Sequence, residues 1–263
     1  NIYKKSTIIT NRTCNLFIFD CKTQVAYKYK IYLACYNKRK VRMDIKRYVR
    51  DHEGLMNFLA LIYRTVGFNS IRGKSKMRIL WKGVFARRVH IKNYGENNKL
   101  VLGEGCRIYD SQIQFFGGNN TIIIEHDCVL KNLDIWISDG GIIEIGHNTH
   151  FSGKIHIACI EGKKVHIGER CLFSDTITFR TGDSHSILND DFKRINKAKD
   201  ISIGNHVWIG QQVIILKGTT VQDNSIDGTG SILTGKTYDS NSIIAGVPAK
   251  IVKQHVSWDS RTL

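Results

Sequence analysis

The sequence predicts an all-β protein, a parallel β-helix wound from six-residue repeats into a narrow triangular prism. Three observations carry that expectation. From Ile203 onward an aliphatic side chain returns at every sixth position, at Ile203, Ile209, Ile215, Val221 and Leu233, and only Asp227 breaks the series. Four residues after each of these positions stands Val207, Val213, Thr219, Ser225, Ser231 or Thr237, a small or β-branched side chain every time. Farther back, Leu102, Ile124, Ile145 and Ile167 open similar segments (LGEGC, IEHDC, IGHNT, IGERC) at spacings of 22, 21 and 22 residues. A period of six suits neither an amphipathic helix nor an alternating strand. It belongs to a solenoid in which the aliphatic residue points inward and the small one lets the chain turn a corner.

Three hexads make a coil of 18 residues, so the early coils, at 21 or 22, carry three or four extra. The excess falls in polar turns, GENNK from Gly95, GGNN from Gly117, DGG from Asp139 and EGKK from Glu161. Glycine and asparagine tolerate the positive φ that such turns demand. The solenoid is therefore expected over residues 80–252, bulged early and tight late. Each coil buries its apolar face on the next, so the open ends need caps. Residues 56–79, with the NFLALIYRTVGF stretch, read as a lead-in helix or cap, and 253–263 as a C-terminal tail.

Residues 1–55 carry 13 Lys/Arg against 4 Asp/Glu, more than half of the chain's net charge of +16. They hold no hexads, no clear helical period and no motif. They read as a basic, poorly ordered extension outside the catalytic unit, for which Met56 makes a sensible start; the other reading is an electrostatic arm for an acidic polymer or an anionic membrane face. The basic residues do not interleave with a stacking-aromatic motif, so nucleic acid is not an expected partner. No signal peptide opens the chain, and the longest apolar stretch, Leu55 to Tyr63, is about half a membrane span. A soluble, cytoplasmic protein is expected, and the sequons at Asn11 and Asn119 read as chance matches. Cys106, Cys128 and Cys171 sit at the small-residue position of a hexad and read as corner fillers. Cys14, Cys21, Cys35 and Cys159 show no metal-binding spacing, which points to a reducing compartment.

The register keeps step through Ile167, Phe173 and Phe179, then RTGDSHSILNDDFKRINKAKD intervenes before it resumes at Ile203. Long excursions from a rigid scaffold are commonly functional. This loop, at about 180–200, holds His185 between two serines, with Asp183 two residues earlier. Histidine suits general-base work near neutral pH, and a nearby carboxylate or carbonyl would orient its ring.

DSHS, ISIGNHVWIGQQVIILKGTTV, NSIDGTGSILTGK and NSIIAGVPAKIV together resemble the left-handed β-helix acetyltransferases of the hexapeptide-repeat family. The likeness is greatest to the branch that O-acetylates sugars of bacterial capsules, polysialic acid and O-antigens. It is strong over residues 165–253 and only a general solenoid pattern over 80–165. By that resemblance His185 is the general base, Trp208 lies near the reacting centre and Asp183 assists. Acetyl-CoA is the co-substrate, and no metal is required. Its groove falls on Gly210, Gln211, Gly228, Thr229, Thr234 and Lys236, with Pro248 facing the adenine and Lys250 and Lys253 pairing with phosphates. An 18-residue coil would stack Gln211, Thr229 and Val247 in one column. The chain departs from the family at Asp227, where an aliphatic residue is usual, at Thr229, where alanine is, and at Gly235–Lys236, where a lysine often directly follows Thr234.

The resemblance implies direct acetyl transfer to a sugar hydroxyl of a polysaccharide, in a homotrimer with active sites between subunits. Such an enzyme would associate peripherally with polysaccharide synthesis machinery at the inner face of the membrane. Three alternatives use the same fold: an N-acetyltransferase of an amino sugar or nucleotide sugar, a zinc hydratase of the carbonic-anhydrase type drawing on His147, His150 and His166, and a non-catalytic scaffold.

Overall fold

The computed structural model describes residues 9–10, 13–20, 25–32 and 52–261. The chain divides into two compact units, Asn1–Met56 and Asn57–Leu263. In the first, Ile9–Thr10, Thr13–Asp20 and Val25–Tyr32 form an antiparallel three-stranded sheet, although sequence analysis assigned no element there. Asn11, Cys21 and Cys35 lie outside the described residues.

A helix, α1, runs from Glu53 to Val66 with Glu53 in its first turn and Arg64 in its last, charges that complement the helix dipole. Beyond it the second unit is a parallel β-helix. Its first face stacks eight strands, from Met77–Leu80 through Asn98–Leu102, Thr121–Ile124, Ile142–Ile145, Lys164–Ile167, Ile201–Ile203 and Thr220–Val221 to Thr237–Tyr238. The second face carries Val129–Lys131, His150–Phe151, Leu172–Phe173, Trp208–Ile209, Ile226–Asp227 and Ser242–Gly246. The third carries Leu133–Ser138, Ile155–Cys159, Ile177–Arg180, Ile214–Leu216 and Ile232–Leu233. Two long strands, Phe85–Asn93 and Arg107–Phe116, bend from the second face onto the third.

The ladder registers reproduce the repeat. Leu102 pairs with Ile124, Ile124 with Ile145 and Ile145 with Ile167, then Ile167 with Ile203 across the loop. Phe173 pairs with Ile209 and Phe179 with Ile215, so the prism closes beneath the loop without losing step. Inward positions alternate with outward ones, as the pleat requires, and Ile203, Ile209, Ile215 and Leu233 are wholly buried. The polar turns take the expected backbone: Asn97, Asn119, Asp139 and Glu161 all have positive φ. Buried asparagines satisfy the backbone there, since Asn120 Oδ1 accepts from the Gly140 and Gly141 amides at 3.1 and 3.0 Å. Cys106, Cys128 and Cys171 are buried and free at the corners, as is Cys159.

One inward position contradicts its surroundings. On the second face Phe173, Ile209, Asp227 and Ile244 follow one another into the core. Asp227 is 1% exposed, neither carboxylate oxygen has a hydrogen-bond partner, and burial pushes its carboxyl up to about 8.

Candidate active site

The loop leaves the prism at the corner where the third face turns into the first. Thr181 pins its start: the hydroxyl donates to the Ile160 carbonyl at 3.2 Å and accepts from the Ile160 amide at 2.9 Å. The loop then folds back as a small hairpin, in which Leu188 bridges Arg194 and the Ile195 amide donates to the Ile187 carbonyl. A bidentate pair from Arg194 to Glu161, at 3.0 and 2.6 Å, ties it to the coil before.

Asn196 is the hub. Its Oδ1 accepts from the Ile187 amide and from Arg194 Nε, while its Nδ2 donates to Asp183 Oδ2 at 2.8 Å and to the His185 carbonyl at 2.7 Å. Asp183 also pairs with Lys217 Nζ, and the lysine, followed by Asn196, holds its carboxyl below the ordinary carboxylate range. The link from Asp183 to His185 thus runs through Asn196 and the backbone. His185 itself presents its imidazole to solvent. Sequence reasoning missed Asn196 and Lys217. A buried asparagine among exposed loop residues was not visible as such, and Lys217 is 34 residues from Asp183.

The remaining predicted residues fall on different edges of the prism. Thr234 and Lys236 follow the strand Ile232–Leu233, at the same corner as the loop and one coil beyond Lys217. Trp208 lies on the second face, 39% exposed. Gly210, Gln211, Gly228 and Thr229 follow it at the corner from the second face to the third. There the coils approach closely: the Gly230 amide donates to the Gln211 carbonyl at 2.8 Å, and a Cβ on Gly210 would lie 2.7 Å from the Asp227 carbonyl. Gln211 and Thr229 are exposed in one column, as expected. The column's third member is corrected, because Asp227 pairs with Ile244, a step of 17 rather than 18, which carries Gly246 to the place expected of Val247. Pro248, joined to Val247 by a cis peptide, is exposed on the turn before a closing antiparallel strand, Ala249–Gln254, that bears Lys250 and Lys253. This edge fits a long thioester arm: the glycines remove side chains along it, Gly230 faces open space, and two cations stand at its end.

The tail adds a contact not foreseen. Trp258 stacks on His206 with ring centroids 4.3 Å apart, donates from Nε1 to the His206 carbonyl, and lies 6.1 Å from Trp208. The histidines of the zinc reading are engaged separately. His147 Nδ1 pairs with Glu125 and Glu169, and His166 Nδ1 with Glu144, while burial lowers His150. Among the described residues no group of three His, Cys, Asp or Glu is arranged to hold a metal. Nor is any described helix long and apolar enough to cross a membrane.

A parallel β-helix of hexads, interrupted once by a histidine-bearing loop and closed by AGVPAK, is the frame of an acetyltransferase, and the chain belongs to the hexapeptide-repeat acetyltransferases, whose fold is the left-handed β-helix. Their acetyl donor is acetyl-CoA. The particular relatives narrow this. The chain is 36% identical over 166 residues to the polysialic acid O-acetyltransferase of Neisseria meningitidis, an alignment covering 62% of this chain and 76% of the relative. Among solved structures, the polysialic acid O-acetyltransferase OatWY superposes with a TM-score of 0.70 at 31% identity, over 74% of this chain and 93% of that one. The polysialic acid-specific acetyltransferase NeuO gives 0.68 at 31% identity, over 74% and 88%. No protein-family model matches the chain.

Proposed function

We propose that this enzyme transfers acetyl from acetyl-CoA to a hydroxyl of an acidic cell-surface polysaccharide, by direct attack with His185 as general base. The observation that carries the reading is the exposed imidazole of His185 on the one long excursion from the prism among the described residues, with its backbone held by Asn196. His185 takes the proton of the acceptor hydroxyl as that oxygen attacks the thioester carbonyl, and returns it to the departing thiolate. A backbone amide and the Trp208 indole N–H stabilise the tetrahedral oxyanion. Asp183 acts as a positioning residue through Asn196. Gly210, Gln211, Gly228 and Thr229 border the pantetheine path, Pro248 faces the adenine, and Lys250 and Lys253 meet the phosphates. Thr234 and Lys236 flank the loop's corner. Polysialic acid is the acceptor favoured by the relatives, two of which are named for that substrate in their solved structures.

The working form in this reading is a homotrimer, because one chain holds the two halves of the site apart. His185 projects from the corner between the third and first faces, whereas Trp208 and the glycine edge lie on the second face and at its corner with the third. When the first face of one subunit packs on the second face of the next around a threefold axis, those two corners meet. The loop tip suits that contact, since Ile187, Leu188, Phe192 and Ile195 are all about half exposed or more. In this reading the catalytic unit is residues 80–252, the enzyme works in the cytoplasm beside the membrane-bound synthesis machinery, and residues 1–55 are dispensable for chemistry. Replacing His185 by Ala tests the proposal. Turnover should fall by about 10²–10⁴ with acetyl-CoA affinity unchanged, and retention of more than a tenth of wild-type turnover removes His185 from the role.

A further inference from the structure

The third face carries an outward-pointing ladder, covered at Gln114 and Ala158 and open to solvent in part or whole at its other rungs, with no part in the chemistry above. Arg72 pairs with Lys92, Lys92 with Gln114, Gln114 with Trp136, Trp136 with Ala158 and Ala158 with Arg180, all at outward positions. At a strand spacing of about 4.8 Å this track is about 24 Å long. Beside it Tyr94 stacks on Phe116 at 5.3 Å, and Phe116 meets Trp136 at 5.9 Å, three aromatic rings on successive coils, each more than a third exposed. Trp136 also walls a cleft of about 470 Å³ with Gln112, Gln114, Asp134 and Lys154.

These surroundings have the chemistry of a glycan surface. Aromatic rings offer flat apolar faces to the C–H side of a sugar, and the amides of Gln112 and Gln114 offer both donors and acceptors. The charge along the ladder suits an acid. Arg72 and Lys92 stand at one end and Arg180 at the other, while in the cleft between them Asp110 is paired with Arg88, Asp134 is hydrogen-bonded to His156 and Lys154 lies beside Asp175. The upper end is continuous with the catalytic loop, since Arg180 Nη2 donates to Ser184 Oγ at 3.0 Å, one residue before His185. In the trimer reached above, the first and second faces are consumed between subunits and the third faces outward.

We propose that the third face is a docking track for the acidic polysaccharide acceptor, binding sugars several units away from the one acetylated and feeding the chain to His185. This inference rests on the O-acetyltransferase reading. Remote contacts of this kind bind ground state and transition state alike, so their loss raises KM for the polymer and leaves kcat unchanged. Trp136→Ala and the pair Arg72→Ala with Lys92→Ala remove aromatic and cationic parts of the track from its solvent side, and unchanged thermal midpoints would show the prism intact.

The assay compares polysialic acid with sialic acid disaccharide as acceptors. Each variant should raise KM for the polymer about tenfold, with kinetics on the disaccharide and on acetyl-CoA unchanged. Calorimetric titration of polysialic acid, with neutral dextran as control, runs alongside and reports docking even if no acetyl transfer is seen, which separates failure of the track from failure of the activity. Loss of polysialic acid binding in both variants, with no dextran binding by the wild type, supports the track. Unchanged polymer KM, an equal rise for disaccharide and polymer, equal affinity for dextran, or no polysialic acid binding by the wild type overturns it.

Discussion

Asp227 offers a measurable consequence of one misplaced charge. Its carboxyl stands where a hydrophobic side chain belongs, between Ile209 and Ile244, both wholly buried, and has no partner for either oxygen. Burial raises it to about 8, against about 3.9 in an unfolded chain. Between those values the folded state keeps a proton that the unfolded chain has released. Stability from this group therefore falls as pH rises from about 4 to about 8, by about 1.4 kcal/mol per unit. At pH 7 the accumulated cost is about 4 kcal/mol, a large share of a typical folding free energy. Tyr238 is the titratable neighbour; its phenol is raised mainly by its own burial and further by Asp227, and so does not titrate in that window.

Asp227→Val removes both the charge and the unpaired oxygens at nearly the same volume, while Asp227→Asn removes the charge alone. Urea unfolding followed by tryptophan fluorescence, at one fixed protein concentration and at pH 4.5, 6 and 7.5, should show both variants losing the downward slope. Asp227→Val should gain about 1–3 kcal/mol at low pH, the cost of unsatisfied buried polar atoms, and about 4 kcal/mol more than that at pH 7. Parallel pH profiles for wild type and variants, or a less stable Asp227→Val at pH 7.5, would refute the reasoning.

Replacing Thr229 by Trp should block the pantetheine edge and weaken acetyl-CoA binding at least tenfold without lowering the melting temperature, because the side chain points outward; unchanged affinity by calorimetry would move the groove elsewhere. Lys217→Met should free Asp183 and loosen the loop, lowering kcat by about tenfold while the prism melts as before, and Lys217→Arg should restore most of the rate; wild-type turnover in Lys217→Met would show that the anchor is not needed. Removal of residues 1–55 should leave turnover on a short soluble acceptor unchanged. If their charge recruits an acidic polymer, the truncated enzyme loses rate on long acidic chains only, and the loss shrinks as salt shortens the screening length to below about 8 Å.

Much of this enzyme was legible one residue at a time. A period of six at Ile203, Ile209 and Ile215, the 22, 21 and 22 spacings before it, and the polar turns at Gly95, Gly117 and Asp139 specify inward positions and corners. Each coil repeats the same local problem, to bury one aliphatic side chain per face and turn, so the pattern along the chain already contains the cross-section. The loop and His185 were visible for the same reason, as the place where that pattern stops. Asp227 was visible as the wrong residue in the right register, though only burial revealed that nothing pairs with it.

Contacts between coils were not legible, because they depend on how many residues each coil spends in its turns. One residue fewer between Asp227 and Ile244 put Gly246 where Val247 was expected. Lys217 reached Asp183, and Asn196 came to hold the His185 backbone, only after the loop closed over a corner whose neighbours lie a coil apart. Trp258 reached His206 across 52 residues. The outward ladder steps by 20 residues from Arg72 to Lys92 and then by 22 to Gln114, Trp136, Ala158 and Arg180, yet the residue types along it follow no pattern, since nothing in the core constrains which side chains face solvent. The sequence by itself therefore determined the prism, its register and the loop that interrupts it, through the requirement to bury apolar surface at a fixed period. The tertiary structure alone decided which outward side chains meet, because stacking brings together residues whose separation along the chain varies from coil to coil.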